Sequence, residues 1–424
     1  MHGWKIVFWI SCLIFLYNYA GYAIIVYLIN RLTRGKRPPP VTDPGFSPNL
    51  AFIVAAFNEE DCIGQKITNS LEQVYPAGKI KFYFITDGST DRTMEIILKY
   101  PSIQLLHQPE RKGKSAALNR AVQAVDEEFL VISDANTLLN PHATANIVRH
   151  YQDKRIGGVA GEKKVLPALP VTGLSTPTQA TTAPPAAVPA RHLAPVPPSP
   201  DEPGSGEGLY WKYESTLKKL DSDFYSVVGA AGELFSLRKS LYEPLPHNVI
   251  LDDFVLSLRA AQKGFRIKYE PDAYAMELPS FSMKDEQKRK IRIAAGGFQA
   301  IGMLLPLLAF WRYPRLSFLY VSHRLLRWTL SPLCLILALV SNAILATEAG
   351  PVYIALFLAQ ILFYGMAALG AIIPLFQQRF KPAKLAGYFV FMNVSVIFGF
   401  FRFLRGRQAA TWEKARRAQT AAAE

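Results

Sequence analysis

Four short acidic motifs follow one another along the chain: Phe57-Asn58-Glu59, Asp87-Gly88-Ser89, Asp134-Ala135-Asn136 and Leu251-Asp252-Asp253-Phe254. An Asp-x-Asn pair such as Asp134 and Asn136 can offer oxygens to a hard cation that also holds a diphosphate. Mg²⁺ suits that arrangement, because it takes few protein ligands and keeps its contacts to phosphate and water. Asp252 and Asp253 can include a general base whose pKa is set by burial and neighbours. The Asp87 carboxylate, with Asn58 and Glu59, suits the base or ribose of a nucleotide. Lys112-Gly113-Lys114 opens a predicted helix, and a helix N-terminus with ammonium groups nearby favours anions, so Lys114 suits a diphosphate. Arg289 and Arg292 are three apart, so one helical face presents both guanidinium groups, either to a departing diphosphate or to lipid headgroups. Each motif also has a plainer reading. Asp-Gly-Ser and Asp-Ala-Asn are good turn chemistry, Asn58 can cap a helix, and carboxylates at a helix start are favoured by its dipole.

The elements that must position these side chains are visible as apolar runs. LAFIVAAF, IKFYFIT and EFLVIS each end at one of the first three motifs, and amphipathic stretches such as CIGQKITNSLEQV and KSAALNRAVQAV lie between them. Such alternation predicts a mostly parallel α/β sheet with helices on both faces. Ligands collect at the carboxyl ends of strands in such sheets, which is where the motifs fall. The segment 167–206 holds eleven prolines and little apolar periodicity, so it cannot bury a core and reads as an insertion within one domain. Beyond it, LDDFVLSLRAAQKG predicts a helix and FRIKYEPDAY a strand.

Half of the 424 residues are apolar, with the excess at the two ends. Ile6 to Asn30 carries no charge and is long enough to span a bilayer core of about 30 Å. It reads as a retained anchor within residues 1–32 rather than a cleaved signal, since Ala-x-Ala-like spacing is missing at its end. Arg31, Arg34, Lys36 and Arg37 follow, which predicts a cytoplasmic domain over 49–292. Residues 293–311, uncharged but rich in Gly, suit a helix lying in the interface. Three further uncharged stretches within 328–404 predict a multi-pass membrane protein, followed by a basic tail at 405–424. Counting spans puts that tail outside, against the positive-inside rule, so its side stays open. The net charge of +14 comes largely from these flanks, and no basic helix with interleaved aromatics points to nucleic acid. The three cysteines form no metal motif or disulfide framework. A transporter is disfavoured, because the spans lack Asp, Glu and Lys.

Taken in order, the motifs resemble the membrane-embedded inverting glycosyltransferases of family 2, which include cellulose, hyaluronan and poly-N-acetylglucosamine synthases. The likeness runs from about Asn49 to Gly297, interrupted by the Pro-rich insertion. It implies a GT-A fold, a UDP-sugar donor, Mg²⁺ or Mn²⁺, and a lipid or glycan acceptor. By that likeness Asp87 contacts the nucleoside, Asp134 and Asn136 bind metal, and Asp253, beside Asp252, is the base. Gly229-Ala230-Ala231-Gly232 resembles the segment lining the acceptor end. Arg289-Lys290-Ile291-Arg292-Ile293 stands where the family has Gln-x-x-Arg-Trp, with Arg292 facing the leaving diphosphate. Isoleucine offers no aromatic face to an acceptor sugar, so transfer of one or a few sugars competes with polymerisation. A catalytically silent nucleotide-binding membrane scaffold is the alternative from another class.

Overall fold

The computed structural model describes residues 1–33, 43, 45–165, 205–278, 282–348, 350–373, 376 and 379–406. Most of the Pro-rich insertion, the basic residues Arg34, Lys36 and Arg37, and the tail from residue 407 lie outside the described residues. The N-terminal apolar stretch forms α1 (His2–Leu16) and α2 (Tyr22–Thr33), joined by a π-helical turn over Tyr17–Gly21 into one rod. The sheet region is built from strands β1 (Leu50–Ala56), β2 (Ile80–Asp87), β3 (Ile103–Gln108), β4 (Phe129–Asp134), β5 (Leu138–Leu139), β6 (Ile156–Val165), β7 (Leu234–Arg238) and β8 (Arg266–Glu277). Helices α3 (Ile63–Leu71), α4 (Thr93–Ile97), α5 (Lys114–Ala124), α6 (Ala143–Val148), α7 (Ser205–Phe224) and α8 (Asp252–Gln262) cover them.

The strands form one sheet in the order β3-β2-β1-β4-β7-β6-β8-β5. The first four are parallel, as the alternating pattern predicts, and β7 then enters antiparallel to β4. β1 contains no polar residue because both its faces are covered. Leu50, Phe52, Val54 and Ala56 enter one buried cluster, and Ala51, Ile53 and Ala55 the other. Side chains alternate along a strand, so an unbroken apolar run is what two covered faces require. Burying each larger side chain contributes roughly 1.5–3 kcal/mol.

After β8 come α9 (Met283–Met303), α10 (Pro314–Tyr320), the single turn α11 (Leu326–Trp328), α12 (Leu330–Glu348), α13 (Pro351–Ile372) and α14 (Lys381–Leu404). The α1–α2 rod, α12, α13 and α14 are each long and apolar enough to cross a membrane. The segment expected to start an interfacial helix at residue 293 instead lies inside α9, whose start is fixed earlier. Ser282 caps it by accepting a bond from the Asp285 N–H, with Asp285 and Glu286 in the first turn. Its glycines serve packing: a Cβ at Gly296 would meet Ile250 at 2.8 Å, and one at Gly297 would meet the Trp328 ring at 2.9 Å.

α7 docks the sheet region onto the membrane-proximal elements through buried charges. Asp221 accepts from the Tyr22 hydroxyl and from His323 Nδ1, both at 2.5 Å. Glu214 pairs with Arg327 and, at 3.1 Å, with Arg324. Removing one partner of such a pair leaves an uncompensated buried charge. Glu214→Ala is therefore expected to cost about 3–5 kcal/mol, read as an earlier thermal unfolding transition. An unchanged transition would show that α7 docks through its apolar contacts alone.

Candidate active site

The parallel register places the carboxyl ends of β1, β2 and β4 on one edge. Ala55 of β1 pairs with both Ile85 and Asp134, so Asp87 and Asp134 flank the end of β1. Beyond Asp87 the chain turns through Gly88, at φ 71°, where an added Cβ would fall 2.8 Å from the Arg111 backbone nitrogen, so no side chain fits. The Asp87 carboxylate is buried and faces the start of α5. Its Oδ2 accepts from the backbone N–H groups of Lys112 at 3.0 Å and Gly113 at 2.6 Å, and Arg120 Nη1 stands 3.9 Å from Oδ1. Oδ1 has no hydrogen-bond partner among the described residues, which leaves one acceptor atom for a ligand.

Asn58 and Glu59 brace this edge. Asn58, at φ 52°, accepts from the Thr90 N–H at 2.8 Å, and the Glu59 N–H donates to Thr93 Oγ1 at 2.8 Å. The Arg111 guanidinium lies 3.6 Å from the centre of the Phe57 ring. The turns after β1 and β2 are thus clamped together beside Asp87.

A second cluster gathers around Lys114, the first residue of α5. Its Nζ lies 2.7 Å from Asp134 Oδ1 and 3.9 Å from Asp252 Oδ2. A Cβ at Gly232 would sit 3.2 Å from the same Nζ and 3.8 Å from Asp253 Oδ2, so Gly232 and Asp253 close the group. Burial opposes the Lys114 charge, but Asp134, Asp252 and Asp253 hold its pKa above the ordinary range. Burial raises the Asp134 pKa, with Lys114 pulling the other way. Burial pushes Asp253 up to about 8, and its neighbour Asp252 adds to the shift. Asn136 lies half-buried in the turn between β4 and β5.

The arginines expected at a diphosphate sit on α9. Arg289 reaches Glu277 at 3.5 Å and Glu286 at 3.3 Å, while Arg292 is half-buried one turn along. Glu277 also pairs with Lys163, which lies 2.5 Å from Glu233. Glu233 in turn adds to the upward shift of Asp134 and Asp253. A chain of alternating charges therefore runs from α9 to the Asp253 cluster, with Arg289 inside it. Lys163 and Glu233 escape the sequence reading, as does Lys66. Lys66 is fully buried beneath the Asp134 turn, donating to Ser133 Oγ at 2.7 Å and to the Thr137 carbonyl at 2.9 Å. Burial lowers its pKa to about 7.

Gly229, at φ 85°, precedes β7, and a Cβ there would fall 2.1 Å from Phe254 Cδ2. Gly229→Ala must move Phe254, the residue after Asp253. A displacement near 1 Å at a reacting group can cost about 10²-fold. Activity in Gly229→Ala is expected to fall by about that much, and wild-type rates in a folded variant would show that this turn does not position Asp253.

An α/β sheet with acidic strand ends, opened by an apolar rod and followed by apolar helices, has the layout of the GT-A fold. The family model described as "Glycosyl transferase family 2" matches residues 51–165, and that described as "Glycosyl transferase family group 2" matches residues 215–372. Together they span more than half of the chain, which belongs to glycosyltransferase family 2. Its similar curated relatives include poly-beta-1,6-N-acetyl-D-glucosamine synthases. That of Staphylococcus aureus strain MSSA476 is 22% identical over 259 residues, 59% of this chain and 55% of the relative. That of Staphylococcus epidermidis is 20% identical over 259 residues, with the same coverage of each. The chain spans about half the length of the curated relatives it matches. A solved structure, the mannosyltransferase PcManGT from Pyrobaculum calidifontis in complex with GDP-Man and Mn²⁺, shares the fold. Its TM-score is 0.67 at 21% identity, over 95% of this chain and 99% of that one.

Proposed function

We propose that this transferase carries out a single inverting displacement. A sugar moves from a nucleoside-diphosphate donor, a UDP-sugar in the first instance, to a hydroxyl of a lipid or glycan acceptor. The reaction takes place at the cytoplasmic face of the membrane, in polysaccharide or glycolipid synthesis. The carrying observation is the convergence of Asp134, Asp252 and Asp253 on the one Lys114 ammonium at the carboxyl edge of the sheet. Asp87, held by the first N–H groups of α5 with one oxygen spare, supports nucleoside binding beside it.

In this reading Asp253 accepts the proton of the acceptor hydroxyl. The oxygen attacks the anomeric carbon, the bond to the diphosphate breaks, and its electron pair leaves with the diphosphate. General-base assistance of this kind contributes about 10²–10⁴-fold. Lys114 stands at the start of α5, where an anion is favoured, and Arg292 is the second cation assigned to the leaving group. Asp134 with Asn136 would hold Mg²⁺ or Mn²⁺. That pair gives an ion one or two protein ligands and leaves its other positions to substrate phosphates and water. The ion bound there supplies positive charge to the leaving diphosphate.

The test uses protein in lipid nanodiscs with Mg²⁺ or Mn²⁺, membrane lipid extract as acceptor, and a panel of UDP- and GDP-sugars. Nucleotide release that depends on one donor supports the reading, and product mass separates single addition from a polymer. Nucleotide binding without turnover of any donor would favour the silent scaffold.

A further inference from the structure

The last apolar helix does not end in isolation. Gly399 of α14 packs on Ala294 of α9, and Phe298 lies 5.1 Å from the Phe400 ring and 6.2 Å from the Phe403 ring. This contact brings the basic end of α14 beside the first half of α9. A cleft of about 700 Å³ opens between the two helices, lined by Gln287 and Ile291 on one side and by Phe398, Phe401, Arg402 and Arg405 on the other.

The lining is divided. Phe398 and Phe401 are half-exposed apolar rings on a helix apolar enough to lie in a bilayer. Arg402 and Arg405 stand at its end, and among the described residues no acidic side chain lines the cleft. Among the described residues Arg402 Nε is buried without a hydrogen-bond partner and neither arginine forms an ion pair. A desolvated guanidinium N–H without an acceptor is costly, and arginine forks match phosphate oxygens. The space far exceeds a lone phosphate and falls in the range of drug-sized ligand sites. An apolar wall continuous with a membrane-length helix, and two arginines without an ion pair among the described residues at its end, suit one occupant, an anionic phospholipid.

We infer that the α9–α14 cleft is a binding site for an anionic phospholipid, its phosphate on Arg402 and Arg405 and its acyl chains along Phe398 and Phe401. The inference rests on the membrane reading and is independent of which sugar is moved. It places the basic end of α14 on the catalytic side, where anionic lipids attract such clusters. Because α9 also carries Arg289 and Arg292, the bound lipid would hold the helix that faces the site.

The experiment adds phosphatidylglycerol, phosphatidylcholine or inorganic phosphate to the delipidated full chain in mild detergent and reads bound lipid by native mass spectrometry. Phosphatidylglycerol is expected to bind about tenfold or more better than phosphatidylcholine. A similar loss is expected in R402Q/R405Q, the size anticipated for two basic groups at an anionic lipid. A diazirine-tailed phosphatidylglycerol should label the peptide holding Phe398 and Phe401 in the unaltered protein, which covers the case of a misfolded variant. Equal binding of both lipids, labelling elsewhere, or full competition by inorganic phosphate would each overturn the assignment. None of these readouts depends on transfer, so failure of the catalytic reading would not be mistaken for failure here.

Discussion

Asp253→Asn is expected to lower transfer by about 10²–10⁴-fold while the protein stays folded and still binds donor. The substitution keeps the shape of the side chain and removes only its capacity to take a proton. In the resting enzyme the Asp253 pKa lies near 8, raised by burial and by Asp252. A base must be ionised to act, so kcat/KM should climb with pH through that region and level off above it. Stability runs the other way. A carboxyl whose folded pKa is raised contributes its full stability below the unfolded value near 4, and loses it as pH rises through the folded value. Asp253→Asn should therefore match the parent in thermal unfolding near pH 4 and exceed it increasingly towards pH 8. A variant equally active, or one whose melting advantage is absent at pH 8, would remove Asp253 from its role.

Lys114→Met is expected to produce the largest loss of stability at the site. The ammonium is the one cation placed among Asp134, Asp252 and Asp253 by the described contacts. Without it three carboxylates face one another, Asp252 buried and Asp134 and Asp253 part-exposed, and leaving the buried one unpaired costs up to about 3–5 kcal/mol. The deficit should shrink as pH falls and the carboxyls protonate, and grow as pH rises. Denaturant unfolding at several pH values checks this. A deficit that does not vary with pH would mean that Lys114 contributes through packing and not through charge.

The parallel half of the sheet was legible because both faces of its strands are buried, which turns LAFIVAAF and EFLVIS into unbroken apolar runs ending at acidic residues. The helix at Asp252 and the strand from Arg266 were legible for similar local reasons. What local pattern cannot show is pairing across distance. Ser133, beside Asp134, donates to the Glu233 carbonyl at 2.9 Å only because β7 lies antiparallel on β4, and a hundred residues separate them in the chain. Lys66 and Lys163 resemble solvated charges in sequence, yet both are buried, one against Ser133 and the other against two glutamates. The Asp221–His323 and Glu214–Arg327 pairs are equally non-local. In α9 the glycines admit Ile250 and Trp328 at close range, a packing that sequence alone does not show.

The central claim is a one-step displacement by an acceptor oxygen deprotonated at Asp253. The most direct test is the anomeric configuration of the first product formed from an α-linked nucleotide sugar, followed by NMR during turnover. The account predicts a β-linked product from the earliest time points. An α-linked product would require two displacements or a different face of attack, and would contradict the role given to Asp253.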